Sequence, residues 1–208
     1  MGRFLKRVAL KLTFSHISPG TTEMQRFDLL NDFATLFAYN WYRDFPMDGY
    51  NRDMGSLSDW NIHTGITVRR VGDLLGFFTH FESSNRTDAV VRDAQRSPIL
   101  FAEWEWIDPS RQQIGEPKKL SDAALAHNPQ FCFLFSYVLQ GSIECAHQFI
   151  AENWKAQVPL LVSLIEYTGI TKRTFHQMSM HQLHNGQWTL LREQPALAWA
   201  LPGTRWQL

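Results

Sequence analysis

Asp88, Glu103 and Glu105 are the residues whose types and spacing could do chemistry in this chain. They fall in RTDAVVRDAQRSPILFAEWEW, which reads as a strand, a short turn and a second strand. Alternate side chains of a strand share a face, so Glu103 and Glu105 point the same way, roughly 7 Å apart along the backbone. Ile99 and Phe101 precede them on that face, while Leu100, Ala102, Trp104 and Trp106 take the other. Burying unpaired charge is costly, so two acids on one face of an otherwise apolar strand require a counter-charge. A divalent cation would supply it, because Mg²⁺ prefers carboxylate oxygens. The alternative is a surface strand on which Glu103 and Glu105 face solvent or pair with a cation such as Arg86.

An Asp on one strand, followed after a turn by Glu-x-Glu on the next, resembles the core of the PD-(D/E)xK nuclease superfamily in its Glu-for-Lys variant. Asp88, Glu103 and Glu105 match the order of that motif, and Thr87 stands where the family name has Pro. The resemblance implies a metal-dependent nuclease that hydrolyses DNA phosphodiester bonds with bound Mg²⁺, or Mn²⁺ as a substitute. Asp88 and Glu103 would be metal ligands, with the Trp104 backbone carbonyl as a third. Glu105 would take a proton from the attacking water or bind a second ion. Glu23 on the first helix would complete the catalytic set through a bound water, with Asp28 or Asp32 as fallback. Some members carry the lysine elsewhere, and Lys118 and Lys119, placed just before the next helix, are candidates for it or plain surface residues. Cleavage of this kind needs a water deprotonated near neutral pH and positive charge against the pentavalent phosphorane, which metal ions provide. Two other readings stand beside it: a catalytically inactive module on the same fold, binding protein or nucleic acid, and a hydrolase of a small phosphorylated substrate.

The elements that must position these acids follow from periodicity. Phe27, Leu30, Phe33, Ala34 and Phe37 recur at helical spacing, with Ser18 or Thr21 as cap, which predicts a long amphipathic helix ending before Pro46. Met47 to Trp60 is polar and turn-rich and reads as a loop, followed by a second helix over Thr67 to Phe78. Phe77 to Glu82 and Arg86 to Val91 form a predicted hairpin, and Ile99 to Trp106 a third strand. Then come a short helix in LSDAALAHN, a buried strand in FCFLFSYVLQG, a helix over 142–156 and the near-continuous apolar strand PLLVSLIEYTG. Asn185-Gly186 lies between two β-like runs, a hairpin signal. The order predicts an α/β protein: a restriction-endonuclease-like three-layer core, its central mixed β-sheet flanked by helices, plus a C-terminal β-hairpin. One domain spans 1–208, with the nuclease-like core over about 20–170 and the hairpin as a peripheral extension over about 174–208.

Composition narrows the classes. At 208 residues, 44% hydrophobic and 19% charged, the chain can bury the core of a globular domain. The formal net charge is zero, which weighs against a dedicated nucleic-acid binder but leaves room for a local basic groove beside an acidic site. Phosphate contacts are open to Lys172 and Arg173 after the apolar strand as well as to Lys118 and Lys119. The resemblance to the nuclease superfamily implies a nucleic-acid partner, most readily DNA, with the chain acting as a homodimer or within a larger nucleic-acid-processing complex. Cys132 and Cys145 have no zinc-pair spacing and read as reduced core thiols. No apolar run reaches the ~20 residues of a membrane span, and the basic opening lacks the apolar segment of a signal peptide, so a cytoplasmic location is expected. His176, His181 and His184 invite a zinc reading, but on a strand His181 would face away from the other two. His80 and Glu82 share a face near Asp88 and could act beside the metal.

Overall fold

The computed structural model describes residues 26–48, 53–82, 86–169 and 172–207. Its elements run α1 (Arg26–Asn40), β1 (Met47–Asp48), β2 (Asp53–Met54), α2 (Leu57–Leu74), β3 (Phe78–Phe81), β4 (Ala89–Arg92), β5 (Pro98–Glu105), α3 (Glu116–His127), β6 (Phe131–Leu139), α4 (Ile143–Asn153), β7 (Leu160–Thr168), β8 (Thr174–His184) and β9 (Gln187–Pro195). Strands β3 to β9 form one seven-stranded sheet in sequence order. The pairs β5–β6 and β6–β7 are parallel and the others antiparallel, so the sheet is mixed. The two parallel pairs need helical connections, and α3 and α4 are those connections.

The three-layer α/β arrangement follows from alternation along the central strands. Phe131, Phe133, Phe135 and Tyr137 of β6 belong to the core shared with α1 and α2, while Cys132, Leu134 and Val138 belong to the core shared with α3 and α4. The first core is aromatic. Phe33 and Phe37 of α1 sit 5.1 and 4.9 Å from the Phe133 ring, and Trp41 lies 5.0 Å from Phe135. Edge and tilted ring pairs of this kind add to the area they bury. The second core is aliphatic on its helices, with Leu120, Ala123 and Ala124 of α3 and Ala146 and Ile150 of α4.

Three sequence expectations shift. Helix α2 covers 57–74 instead of 67–78, because Ser56 caps it ten residues earlier through a reciprocal capping box with Asp59. The predicted loop over 47–60 therefore contains the short β1–β2 pair and the start of α2. Gly72 survives inside α2 because a Cβ there would run into the Thr79 hydroxyl of β3. The C-terminal hairpin is present and turns at Asn185 and Gly186, both with positive φ (52° and 73°) as a two-residue type I′ turn demands. It continues the sheet: β8 pairs with β7 from Leu160↔Leu183 to Thr168↔Thr174, and β9 is the edge strand. Of the thiols, Cys132 is buried, but Cys145 is exposed on α4 and belongs to no core. No helix among the described residues is long and apolar enough to cross a membrane.

Candidate functional site

The register of β4 on β5 decides where the acids go. Ala89 pairs with Ala102, so Asp88, one residue before β4, stands opposite Glu103. Here the ladder gives way to side-chain contacts. The Asp88 backbone N–H donates to Glu103 Oε1 at 3.1 Å, and the Trp104 N–H donates to Asp88 Oδ2 at 2.8 Å. In a strand the N–H and C=O of one residue point to the same side, so the Trp104 carbonyl lies on the edge where Asp88 sits.

Helix α3 brings the counter-charge. Lys119 Nζ lies 2.7 Å from Glu103 Oε1, and only 1% of the Glu103 side chain is exposed. Expected just before the helix, Lys118 and Lys119 lie within it, since α3 begins at Glu116 with Pro117 in its first turn. Glu116, Lys119, Leu120 and Ala123 are spaced i, i+3, i+4 and i+7, and thus share the stripe turned to the sheet. Lys118 falls outside that stripe and forms an exposed ion pair with Asp122 at 2.6 Å.

Electrostatics mark the cluster as unusual. Burial raises the Glu103 carboxyl to about 8, aided by the neighbouring Asp88 charge and opposed by Lys119. Desolvation and the adjacent carboxylate therefore outweigh the ammonium, although it is within ion-pair distance. Asp88 is also raised by burial, with the Trp104 N–H and Lys119 working the other way. Glu116 was not anticipated as a site residue. Burial and the Glu105 charge raise it, and its Oε2 is buried without a hydrogen-bond partner. Its position on the sheet-facing stripe of α3, four residues before Leu120, was the available signal.

The remaining candidates separate. Glu105 lies close enough to act electrostatically on Asp88 and Glu116, but its Oε1 accepts the Ile107 N–H at 3.0 Å. Glu23 lies outside the described residues; Asp32 is exposed on α1. Arg173 turns inward: its guanidinium lies 4.2 Å from the Trp106 ring centre and 4.0 Å from that of Tyr167, and it donates to the Trp106 carbonyl at 2.7 Å. Lys172 is exposed between β7 and β8. The three histidines do not converge, since His176 bonds Thr168 while His181 packs on His147 and bonds Ser179. His80 is exposed on β3.

Asp88 and Glu103 offer hard oxygen donors next to a carbonyl. Among the described residues no three His, Cys, Asp or Glu side chains are grouped so as to hold a metal ion. Mg²⁺ commonly takes one or two carboxylates and fills its shell with waters and substrate phosphate, so this donor set fits it.

No protein-family model matches the sequence, and no curated protein is similar to it. Among solved structures, the YaeQ protein from Xanthomonas axonopodis pv. citri overlaps 69% of this chain and 84% of its own at 11% identity, with a TM-score of 0.29.

Proposed function

We propose that the chain is a Mg²⁺-dependent nuclease of the PD-(D/E)xK kind, with its lysine moved from the β5 strand to α3. The observation that carries this reading is the Lys119–Glu103 contact at 2.7 Å, on a carboxylate that also accepts the Asp88 N–H. Asp88 and Glu103 would hold the ion with the Trp104 carbonyl. Bound Mg²⁺ would supply positive charge to a phosphate oxygen and acidify the attacking water. Lys119 takes the role that Glu105 was expected to fill in the lysine position. Its ammonium can orient the water and meet charge developing on the phosphorane. Burial of Glu103 suits that role, since a carboxyl held near 8 would gain most from a bound cation's positive charge. The test is Mg²⁺-dependent cleavage of plasmid and oligonucleotide DNA by the full chain, with Asp88→Asn as the comparison. Cleavage lost in that variant supports the reading; intact folded protein that neither binds Mn²⁺ by calorimetry nor cuts DNA or RNA excludes it.

A second reading, a catalytically inactive binding module, is favoured by one observation. Glu105, in the family's lysine position, is engaged by its own backbone at Ile107. DNA affinity without cleavage would select it.

A further inference from the structure

Asp88 belongs to two places at once. It faces the acid centre through Glu103, and it also forms one wall of a cleft of about 450 Å³ between α2 and the β3–β5 edge. Ile62 and Ile66 of α2, Phe81 of β3 and Trp104 of β5 line the rest. Ile62 is 60%, Ile66 40% and Phe81 44% exposed, an apolar surface that folding leaves open. The Phe81 and Trp104 rings stand edge to face, 6.4 Å apart. Gly65 makes room for them: a Cβ there would meet Trp104 Cζ2 at 3.3 Å and Phe81 Cε1 at 3.4 Å.

The polar groups of the cleft select its occupant. Among the described residues its acidic groups are Glu82 and Asp88 and no basic side chain lines it, so the cleft itself offers a phosphate no counter-charge. Asn61 adds an amide, which can donate and accept together. Phe81 and Trp104, whose rings stand at 80° to each other, can offer one aromatic face to a planar neutral ring. Carboxylate and amide acceptors pair with an exocyclic amine, as acidic and amide side chains do when they read cytosine and adenine.

We propose that this cleft binds a nucleobase bearing an exocyclic amine, unstacked from its strand, so that the phosphate next to it reaches Asp88 and Glu103. The placement of that phosphate rests on the nuclease reading; the chemistry of the cleft does not. Thymine and uracil, which lack the amine, are disfavoured. An apolar side chain of a partner protein is the competing occupant, and the test separates the two.

Free adenosine, cytidine and thymidine, which carry no phosphate and need no metal, are titrated into the full chain in EDTA. Binding is followed by the NMR shifts of the Trp104 indole and the Gly65 amide. Adenosine and cytidine are expected to saturate both signals, with thymidine at least ~5-fold weaker. Phe81→Ala should weaken adenosine about tenfold. Glu82→Gln, at an exposed position, should narrow the gap between adenosine and thymidine and keeps the test available should Phe81→Ala not fold. Leu125→Ala, an exposed leucine of α3, serves as the unaffected control. Equal affinities for all three nucleosides, shifts confined to other residues, or no binding overturn the proposal. Nucleoside binding with these preferences but no DNA cleavage sinks the nuclease reading alone, and cleavage without nucleoside preference sinks the cleft assignment alone.

Discussion

Lys119 Nζ and the Asp88 N–H converge on one oxygen, Glu103 Oε1, at 2.7 and 3.1 Å. A helix and a strand end are thereby tied to a carboxylate that burial keeps partly unwilling to ionise. The two lysines of α3 should consequently behave differently. Lys119→Ala leaves Glu103 buried without its cation and is expected to cost about 1–3 kcal/mol above pH 8, where Glu103 is ionised. It should also abolish Mg²⁺-dependent cleavage. Lys118→Ala removes only an exposed i,i+4 pair and should change stability by ~0.5 kcal/mol or less, with cleavage intact. Urea denaturation and a plasmid-nicking assay on both variants check this, and equal effects would refute the assignment of Lys119.

Glu103 itself supplies the second prediction. Its folded value of about 8 stands above the ordinary 4.5, so between these values the folded chain binds a proton that the unfolded chain has released. Stability is therefore fully present below pH 4.5 and falls as pH rises to 8. Glu103→Gln keeps the shape and cannot ionise, and it should flatten that decline, stabilising the protein above pH 8 by up to about 5 kcal/mol. Activity should disappear in the same variant, the trade expected where a strained acid serves function. Chemical denaturation on either side of pH 8 gives the sign; a variant that is less stable than the parent above pH 8 contradicts it.

How much of this could be read beforehand depended on the range of the forces involved. The opposition of Asp88 and Glu103 was legible because strand alternation and a short turn fix the register through neighbouring residues, Ala89↔Ala102. Lys119 was legible only as one of two candidate lysines, because the apolar run at Leu120 places the start of α3 after both, whereas Pro117 in the first turn carries it back to Glu116. That displacement moves Lys119 from a connecting loop onto the stripe facing the sheet. Helix α2 starts earlier than the apolar periodicity indicates for a related reason: polar residues and Gly65 mask its first half, although Ser56 and Asp59 spell a capping box. The inward turn of Arg173 depends on Trp106, 67 residues away in sequence, and no local pattern reports such a contact.

Gly72 allows a test in which two physical effects predict opposite signs. Helix propensity alone makes Gly72→Ala stabilising by about 1 kcal/mol. The added Cβ, however, collides with the Thr79 hydroxyl on β3, the strand that α2 packs against. Thr79 is short and β-branched, so it has little freedom to yield. Overpacking should win, giving a net loss of about 1–3 kcal/mol. Gly72→Ala combined with Thr79→Ala should recover the helix gain. Thermal unfolding of the single and double variants decides the matter, and a stabilised single variant would show that α2 and β3 are less closely apposed.

His63 should make the protein acid-sensitive through a buried imidazole of α2. It is buried, its Nε2 lies 2.8 Å from the Trp41 carbonyl, and its ring packs 4.6 Å from the Trp41 ring. Burial lowers it from 6.5 to about 4, against the pull of the Trp41 carbonyl. Above pH 6.5 both folded and unfolded chains hold a neutral ring, and its contribution is fully present. As pH falls from 6.5 to 4 the unfolded chain takes a proton that the folded chain refuses, so stability drops by on the order of 2–3 kcal/mol and then levels off. His181, lowered to about 4 by burial, adds a parallel loss on the opposite face of the sheet. His63→Gln retains a donor for the Trp41 carbonyl but cannot titrate, and it should remove its own share of the acid slope while leaving that of His181. Denaturant midpoints measured above pH 6.5 and near pH 4 give both slopes. An unchanged slope in the variant would mean that His63 is already free to protonate in the folded chain.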